Sequence, residues 1–229
     1  MNRNFTAICA ALLMCAILIV FYGSTAIAKN NISVAEPFTE KVIYLTFDDG
    51  PSDRVTPKIL DVLKKENVKA TFFIVGKNAE RRKYLLKREA DEGHSVGVHS
   101  YSHEYKKIYA SPKKLLKDID DCNAVIKDAI GKSSNIYRFP GGSYSLSSTL
   151  ISAVKQHGMK YYDWNASFRD CELNSPSPKQ LVSAAKNTVM NHKKVIMLAH
   201  DTTDKTATAA ALTDVIKYFK DEGYVFKTF

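Results

Sequence analysis

The chain is sparing with several residue types. Its 229 residues include one tryptophan, four cysteines, ten glycines and seven prolines, with no internal repeat and no low-complexity tract. Moderate glycine and proline beside 45% hydrophobic residues fit one globular domain with a sizeable core. No glycine-rich phosphate loop follows the first apolar strand, which argues against a nucleotide site. Acidic residues are outnumbered by basic ones, 24 to 33, giving a formal charge of +9. Outside a cell such a balance favours anionic polymers such as cell-wall glycans or teichoic acids, and no nucleic-acid partner is expected. A solvated lysine-rich surface without a partner explains the same balance.

One long uncharged run is present, at the start. Asn2, Arg3 and Asn4 precede the stretch from Phe5 to Tyr22, and Ala26-Ile27-Ala28 has the small-residue pattern of a signal-peptidase site. Residues 1–28 therefore read as an export segment, 29–40 as a polar linker and 41–229 as the globular domain, secreted or held at the cell envelope. The apolar run exceeds the usual signal core, so a membrane tether through residues 5–22 stays open. Cys9 and Cys15 lie in this segment without the small-residue box of a lipidated cysteine. Cys122 and Cys171 remain in the domain, where a disulfide and two free thiols are both open.

Short apolar runs alternate with helical patterns, placing strands near 41–47, 70–75, 95–98, 136–139, 160–164, 195–199 and 224–228 with a helix in each gap. The clearest helix is 112–130. Ser111 can cap it, Pro112 suits its first position, Leu115, Ile119, Cys122 and Ile126 share a face, and Gly131 supplies the stop. Thr56-Pro57 and Ser177-Pro178 open helices in the same way. Strict alternation implies parallel strands with right-handed crossovers, hence a doubly wound sheet or a barrel.

The strand Lys41–Phe47 runs into Asp48-Asp49-Gly50-Pro51. Adjacent carboxylates at the mouth of a core strand disfavour each other's ionisation unless something positive compensates them, although the same four residues also make an ordinary turn. His99 and His103 follow the third strand four residues apart, a spacing that on a helical turn points both imidazoles at one ion. With one carboxylate they form a two-His, one-carboxylate set that leaves positions for water and substrate. Arg138 ends the fourth strand, where a bidentate contact could hold a carboxylate, and the Gly141-Gly142 turn lets backbone N–H groups approach a ligand. His200 ends the strand 195–199, placed to donate a proton to a leaving group. His94, His157 and His192 sit near helix ends and read as structural or exposed. Catalytic groups of parallel α/β folds gather at the carboxyl ends of strands, where Asp48, Asp49, His99, Arg138 and His200 all fall.

The ordered set Thr46-Phe47-Asp48-Asp49-Gly50, His99-Ser100-x-x-His103, Arg138-x-Pro140-Gly141 and Leu198-x-His200 resembles the polysaccharide deacetylase, or NodB-homology, family over residues 41–229. The resemblance implies a distorted (β/α)7 barrel that removes N-acetyl groups from amino sugars of peptidoglycan or chitin-like polymers with a divalent metal; a monomer is expected. Carried over by position, Asp49, His99 and His103 bind the metal and Asp48 is the general base. Arg138 orients Asp48, His200 is the general acid, the Gly141 N–H holds the oxyanion and Leu198 lines the acetyl pocket. Many members have Tyr where Gly141 stands, so Tyr144 is expected to supply the aromatic wall. Of Asp163 and Asp170, Asp170 is favoured as the group that orients His200, and Trp164 is read as core. Zinc is the first choice of metal, with cobalt, nickel and iron accepted by the same ligands. Three other readings stay open: an impaired glycan-binding barrel, an O-acetyl polysaccharide esterase and, on the metal set alone, a non-haem iron oxygenase.

Overall fold

The computed structural model describes residues 40–229. The export segment expected over 1–28 and the linker, apart from Glu40, lie outside the described residues.

Eight strands form one parallel sheet: β1 (Lys41–Asp48), β2 (Thr71–Val75), β3 (Ser95–Ser100), β4 (Ile136–Tyr137), β5 (Lys160–Tyr161), β6 (Ala166–Ser167), β7 (Lys194–His200) and β8 (Tyr224–Lys227). Their order is β5-β4-β3-β2-β1-β7-β6, with β8 paired to the first half of β1. Sequential strands are neighbours through β1 to β5, and β7 and β6 continue on the other side, so the sheet curls in one sense into a distorted (β/α)7 barrel. A doubly wound sheet would reverse its order at a switch point. Helices 56–65, 83–91, 112–130, 148–156, 178–189 and 206–221 fill the gaps. Among the described residues no helix is long and apolar enough to cross a membrane.

Burial follows from this winding. β1 buries residues on both of its faces and β2 is buried throughout, as strands between helices and a filled interior must be. Ile43, Leu45 and Phe47 join Leu60, Ile119, Met197 and Leu212 in one hydrophobic cluster. Lower in the barrel, the Phe229 ring stacks on Tyr44 at 4.5 Å and on Tyr162 at 3.8 Å.

Two elements depart from the sequence expectation. The fifth strand ends at Tyr161 rather than 164. A separate two-residue strand, Ala166–Ser167, then pairs with Met197 and Leu198, too short to show a periodic pattern. The helices begin largely as expected. Ser111 accepts from the Lys114 amide, and Ser177 forms a reciprocal box with Gln180. Thr56 differs: its hydroxyl accepts from the Ser52 amide at 2.8 Å and donates to Asp201 Oδ2 at 2.5 Å, so it ties two loops together instead of capping its helix. The domain cysteines are free thiols, Cys122 buried and Cys171 exposed.

Glu89, on helix 83–91, is fully buried and neither carboxyl oxygen has a hydrogen-bond partner. Burial, helped by the charge of Asp201, pushes its pKa well above the ordinary 4.5. For a group raised on folding, the stability contribution is complete below the unfolded pKa and is lost as pH rises toward the folded one, at ~1.4 kcal/mol per pH unit. Glu89→Gln, neutral at every pH, is therefore expected to raise the thermal midpoint at pH 8 and change it little at pH 4. Equal shifts at both pH values would mean that packing, not ionisation, is responsible.

Candidate active site

Parallel register brings the chemistry to one end. Asp48 is paired with His200 across β1 and β7, and the Arg138 amide donates to the Val98 carbonyl at 3.0 Å, so the ends of β1, β3, β4 and β7 stand level. A cavity of about 280 Å³ opens there, lined among others by Asp48, Asp49, His99, His103, Leu198 and His200.

Asp49 Oδ1 lies 3.3 Å from His99 Nε2 and 3.1 Å from His103 Nε2. His99 Nδ1 is 2.9 Å from the Arg138 carbonyl, which can only accept, so that nitrogen carries the proton and Nε2 turns a lone pair toward Asp49. Asp49 Oδ1 is buried and has no hydrogen-bond partner. A carboxylate oxygen facing the His99 lone pair is a repulsive arrangement that a cation resolves, so this donor set fits a divalent metal.

The two histidines do not meet by helical spacing. His99 belongs to β3, and the chain after it bends, with His103 in the left-handed region at φ 56°. Asp118 holds this bend. One of its oxygens accepts from Ser100 Oγ at 2.5 Å and from the Tyr101 amide at 2.7 Å, and the other from the Ser102 amide at 3.0 Å and Ser102 Oγ at 2.7 Å. Ser100 Oγ in turn accepts from the His103 amide at 2.8 Å. Sequence reasoning missed Asp118, yet a signal existed: an acid three residues after Leu115 on the apolar face of helix 112–130. Asp49 is left-handed as well, at φ 74°, a conformation uncommon for a non-glycine residue and one that tends to mark functional sites.

Arg138 is completely buried beneath the cavity. Its Nη1 donates to Asp48 Oδ1 at 2.9 Å and to Thr46 Oγ1 at 2.6 Å, and Nε donates to the Tyr162 carbonyl at 2.8 Å. The expected two-pronged grip is thus a single contact, because Nη2 reaches no acceptor. The guanidinium rests 4.4 Å from the Phe73 ring centroid, which fixes its plane.

On the opposite wall, Asp170 Oδ1 lies 2.8 Å from His200 Nδ1, while Oδ2 accepts from the His200 amide at 2.9 Å and Thr208 Oγ1 at 2.8 Å. Nδ1 is thereby the protonated nitrogen facing Asp170, and Nε2 is left for the cavity. Burial would lower the His200 pKa, but the hydrogen bonds to Asp170 and Cys171 and the charges of Asp170 and Asp48 raise it to about 11. Asp163 does something else: it accepts from the Ser143 amide at 2.9 Å and from the Ser143 hydroxyl, anchoring the Gly141–Ser143 turn.

The aromatic wall differs from expectation. Tyr144 is 73% exposed and stands outside the cavity, its hydroxyl donating to the Trp164 carbonyl at 2.9 Å. Trp164, read as core, is only partly buried and lines the cavity, because the chain leaves the sheet after Tyr161 and turns the indole inward. Tyr105, unnoticed in the sequence, supplies the ring beside Gly141. Gly141 has φ +76°, and a Cβ built there would meet Tyr105 Cε1 at 3.0 Å, so the small residue makes room for the phenol. Asp201 was also missed. It is buried, accepts from Thr56, and its carboxylate lies 2.1 Å from where a Gly50 Cβ would be, which requires glycine at that turn. Burial raises the Asp201 pKa to about 7, with the charge of Asp49 adding to the rise.

The family model for polysaccharide deacetylases matches residues 35–162. A peptidoglycan-N-acetylglucosamine deacetylase of Bacillus cereus is 35% identical over 193 residues, 82% of this chain and 69% of that protein. A peptidoglycan-N-acetylmuramic acid deacetylase of Bacillus subtilis is 35% identical over 191 residues, 82% of this chain and 70% of the other. The solved structure of a Streptococcus mutans CE4 esterase superposes with a TM-score of 0.78 at 32% identity, covering 83% of this chain and 86% of that one. The chain belongs to the polysaccharide deacetylase family of enzymes.

Because Asp118 shapes the His99–His103 bend through four accepted bonds, Asp118→Asn, which keeps the size but loses acceptors, is expected to weaken Zn²⁺ or Co²⁺ binding ~10–100-fold. Competition against a chromophoric chelator measures this. Unchanged affinity would show that the bend holds without the carboxylate.

Proposed function

We propose that this protein is a metal-dependent N-deacetylase of cell-wall amino sugars, N-acetylglucosamine or N-acetylmuramic acid of peptidoglycan, exported through residues 1–28 or tethered by residues 5–22. The observation that carries the reading is one cavity holding an Asp–His–His donor set, an Arg-supported second aspartate and a histidine whose Nδ1 is held by a carboxylate. The names of the two deacetylase relatives support the substrate class.

Asp49, His99 and His103 would hold the ion, zinc first among candidates by ligand chemistry and cobalt, nickel or iron also compatible with it. When bound, such an ion polarises the acetamide carbonyl and favours ionisation of water. Asp48, oriented by the hydrogen bond from Arg138 Nη1, takes the proton from the attacking water. The Gly141 N–H donates to the oxygen on which negative charge develops. His200, with Nδ1 held by Asp170, delivers the Nε2 proton to the sugar nitrogen as the C–N bond breaks, so acetate and a free amine leave. Leu198 offers the acetyl methyl an apolar wall, and Trp164 and Tyr105 present aromatic faces to the sugar. The basic surface suits an anionic envelope polymer.

A second reading, O-acetyl ester cleavage, is favoured by one observation, the resemblance to a CE4 esterase. An ester needs less help from a general acid than an amide does, because an alkoxide leaves more easily than an amide anion. A complete Asp170–His200 pair therefore favours the amide.

Purified protein with added Zn²⁺ or Co²⁺ is expected to release acetate from peptidoglycan, with mass spectrometry of the digested wall identifying the sugar and the bond. Asp48→Asn should lower kcat by ~10²–10⁴ while leaving the metal content unchanged. No acetate from wall or N-acetylglucosamine oligomers would refute the reading.

The acid also makes a pH prediction. His200 is protonated below its raised pKa, so activity should fall on the alkaline side as that proton is lost. Asp170→Asn removes the stabilising charge and should move this limb to lower pH by roughly 1–3 units. A limb that stays in place in the kcat/KM profile would assign it to another group.

A further inference from the structure

We infer that Asp170, Cys171 and His200 form a second cation site, separate from the Asp49–His99–His103 group, which takes a thiophilic divalent ion such as Zn²⁺, Co²⁺ or Cd²⁺ and on doing so disables His200. A carboxylate oxygen, a thiol sulfur and an imidazole nitrogen from these three residues all lie within 4.8 Å of one another. Cys171 Sγ is 3.2 Å from His200 Nδ1, and Asp170 Oδ1 is 2.8 Å from the same nitrogen. Around a tetrahedral ion with ordinary bond lengths such donors stand about 3.5 Å apart, so Nδ1 needs to part from Sγ by about 0.3 Å and from Oδ1 by about 0.7 Å.

The parts are free to do so. Asp170 is anchored through Oδ2 by the His200 amide and Thr208, whereas Oδ1 is held by the imidazole. Cys171 is exposed and borders the cavity, so an ion reaches the sulfur from solvent. One group opposes binding: Lys205 Nζ sits 3.1 Å from the Asp170 carbonyl and repels a cation. Among the described residues no lysine is bonded to the donors of the Asp49 set, which fill first.

Binding expels the thiol proton and the Nδ1 proton to solvent. His200 is left as a neutral, metal-bound imidazole whose Nε2–H is a far weaker acid than imidazolium, and it is no longer held by Asp170. The binding stands on this geometry alone, while the loss of activity that follows rests on the deacetylase reading.

The test is a Co²⁺ titration of the full-length protein. The first equivalent is expected to give no thiolate band. The second should bring up the near-ultraviolet thiolate-to-cobalt charge-transfer absorption and lower acetate release about a hundredfold relative to the one-equivalent protein. In Cys171→Ser and Cys171→Ala, each compared with its own one-equivalent rate, the band and the inhibition should both be absent. Iodoacetamide treatment of the wild-type protein, which needs no folded variant, should also abolish the band. No band at the second equivalent, or a band that survives in Cys171→Ser, overturns the site. A Cys171-dependent band on a protein that releases no acetate at one equivalent upholds the site and refutes the deacetylase reading instead.

Discussion

The architecture turns on negative charge concentrated at the strand ends. Asp48, Asp49, Asp170 and Asp201 crowd one end of the barrel, and all but Asp49 are almost wholly removed from water. Taking a carboxylate out of water costs several kcal/mol unless something positive faces it, and each of these groups meets that cost differently. Asp48 has Arg138, Asp170 has His200, and Asp49 faces the Nε2 atoms of His99 and His103, a donor set that a cation would complete. The Asp201 carboxylate has a single hydrogen bond, from Thr56, and no cation among the described residues, and gives way by a rise in its pKa. These four solutions assign four functions to one residue type.

Much of the surrounding structure keeps these compensations in place. Arg138 lies at zero exposure with Thr46 and Asp48 on Nη1, Tyr162 on Nε and Phe73 against its flat face, while Nη2 has no partner among the described residues. Beneath it the interior continues as rings, Phe73 and then Phe229 between Tyr44 and Tyr162. Asp118 and Asp163 have the same task at two different loops. Each uses its carboxylate on backbone amides and hydroxyls, fixing the histidine bend in one case and the glycine turn in the other. Loops that carry chemistry are thus held by charge-assisted bonds rather than by packing.

Residue chemistry read along the chain located most of the site. Asp48, Asp49, His99, His103, Arg138 and His200 are each recognisable because a polar group at the end of an apolar run is conspicuous, and the structure places them around one cavity or directly beneath it. Contacts made through space were harder to read. Tyr105 sits in a segment whose local pattern is ordinary and Asp118 stands out only as an acid on an apolar helix face; the importance of both arises from neighbours 36 and 18 residues away, Gly141 and Ser100. Trp164 rather than Tyr144 lines the cavity, and nothing local says which ring a departing chain turns inward.

The sequence alone determined the alternation of strands and helices, and hence parallel strands whose carboxyl ends meet. It also determined the set of donors at those ends, since both follow from periodicity and residue type within short windows. Only the tertiary structure decided that the sheet curls in one sense, that Arg138 touches Asp48 with one nitrogen, that the histidines converge through a bend and that Tyr105 faces Gly141. Those facts depend on register and on packing between segments far apart in the chain, where distance in space is independent of distance in sequence.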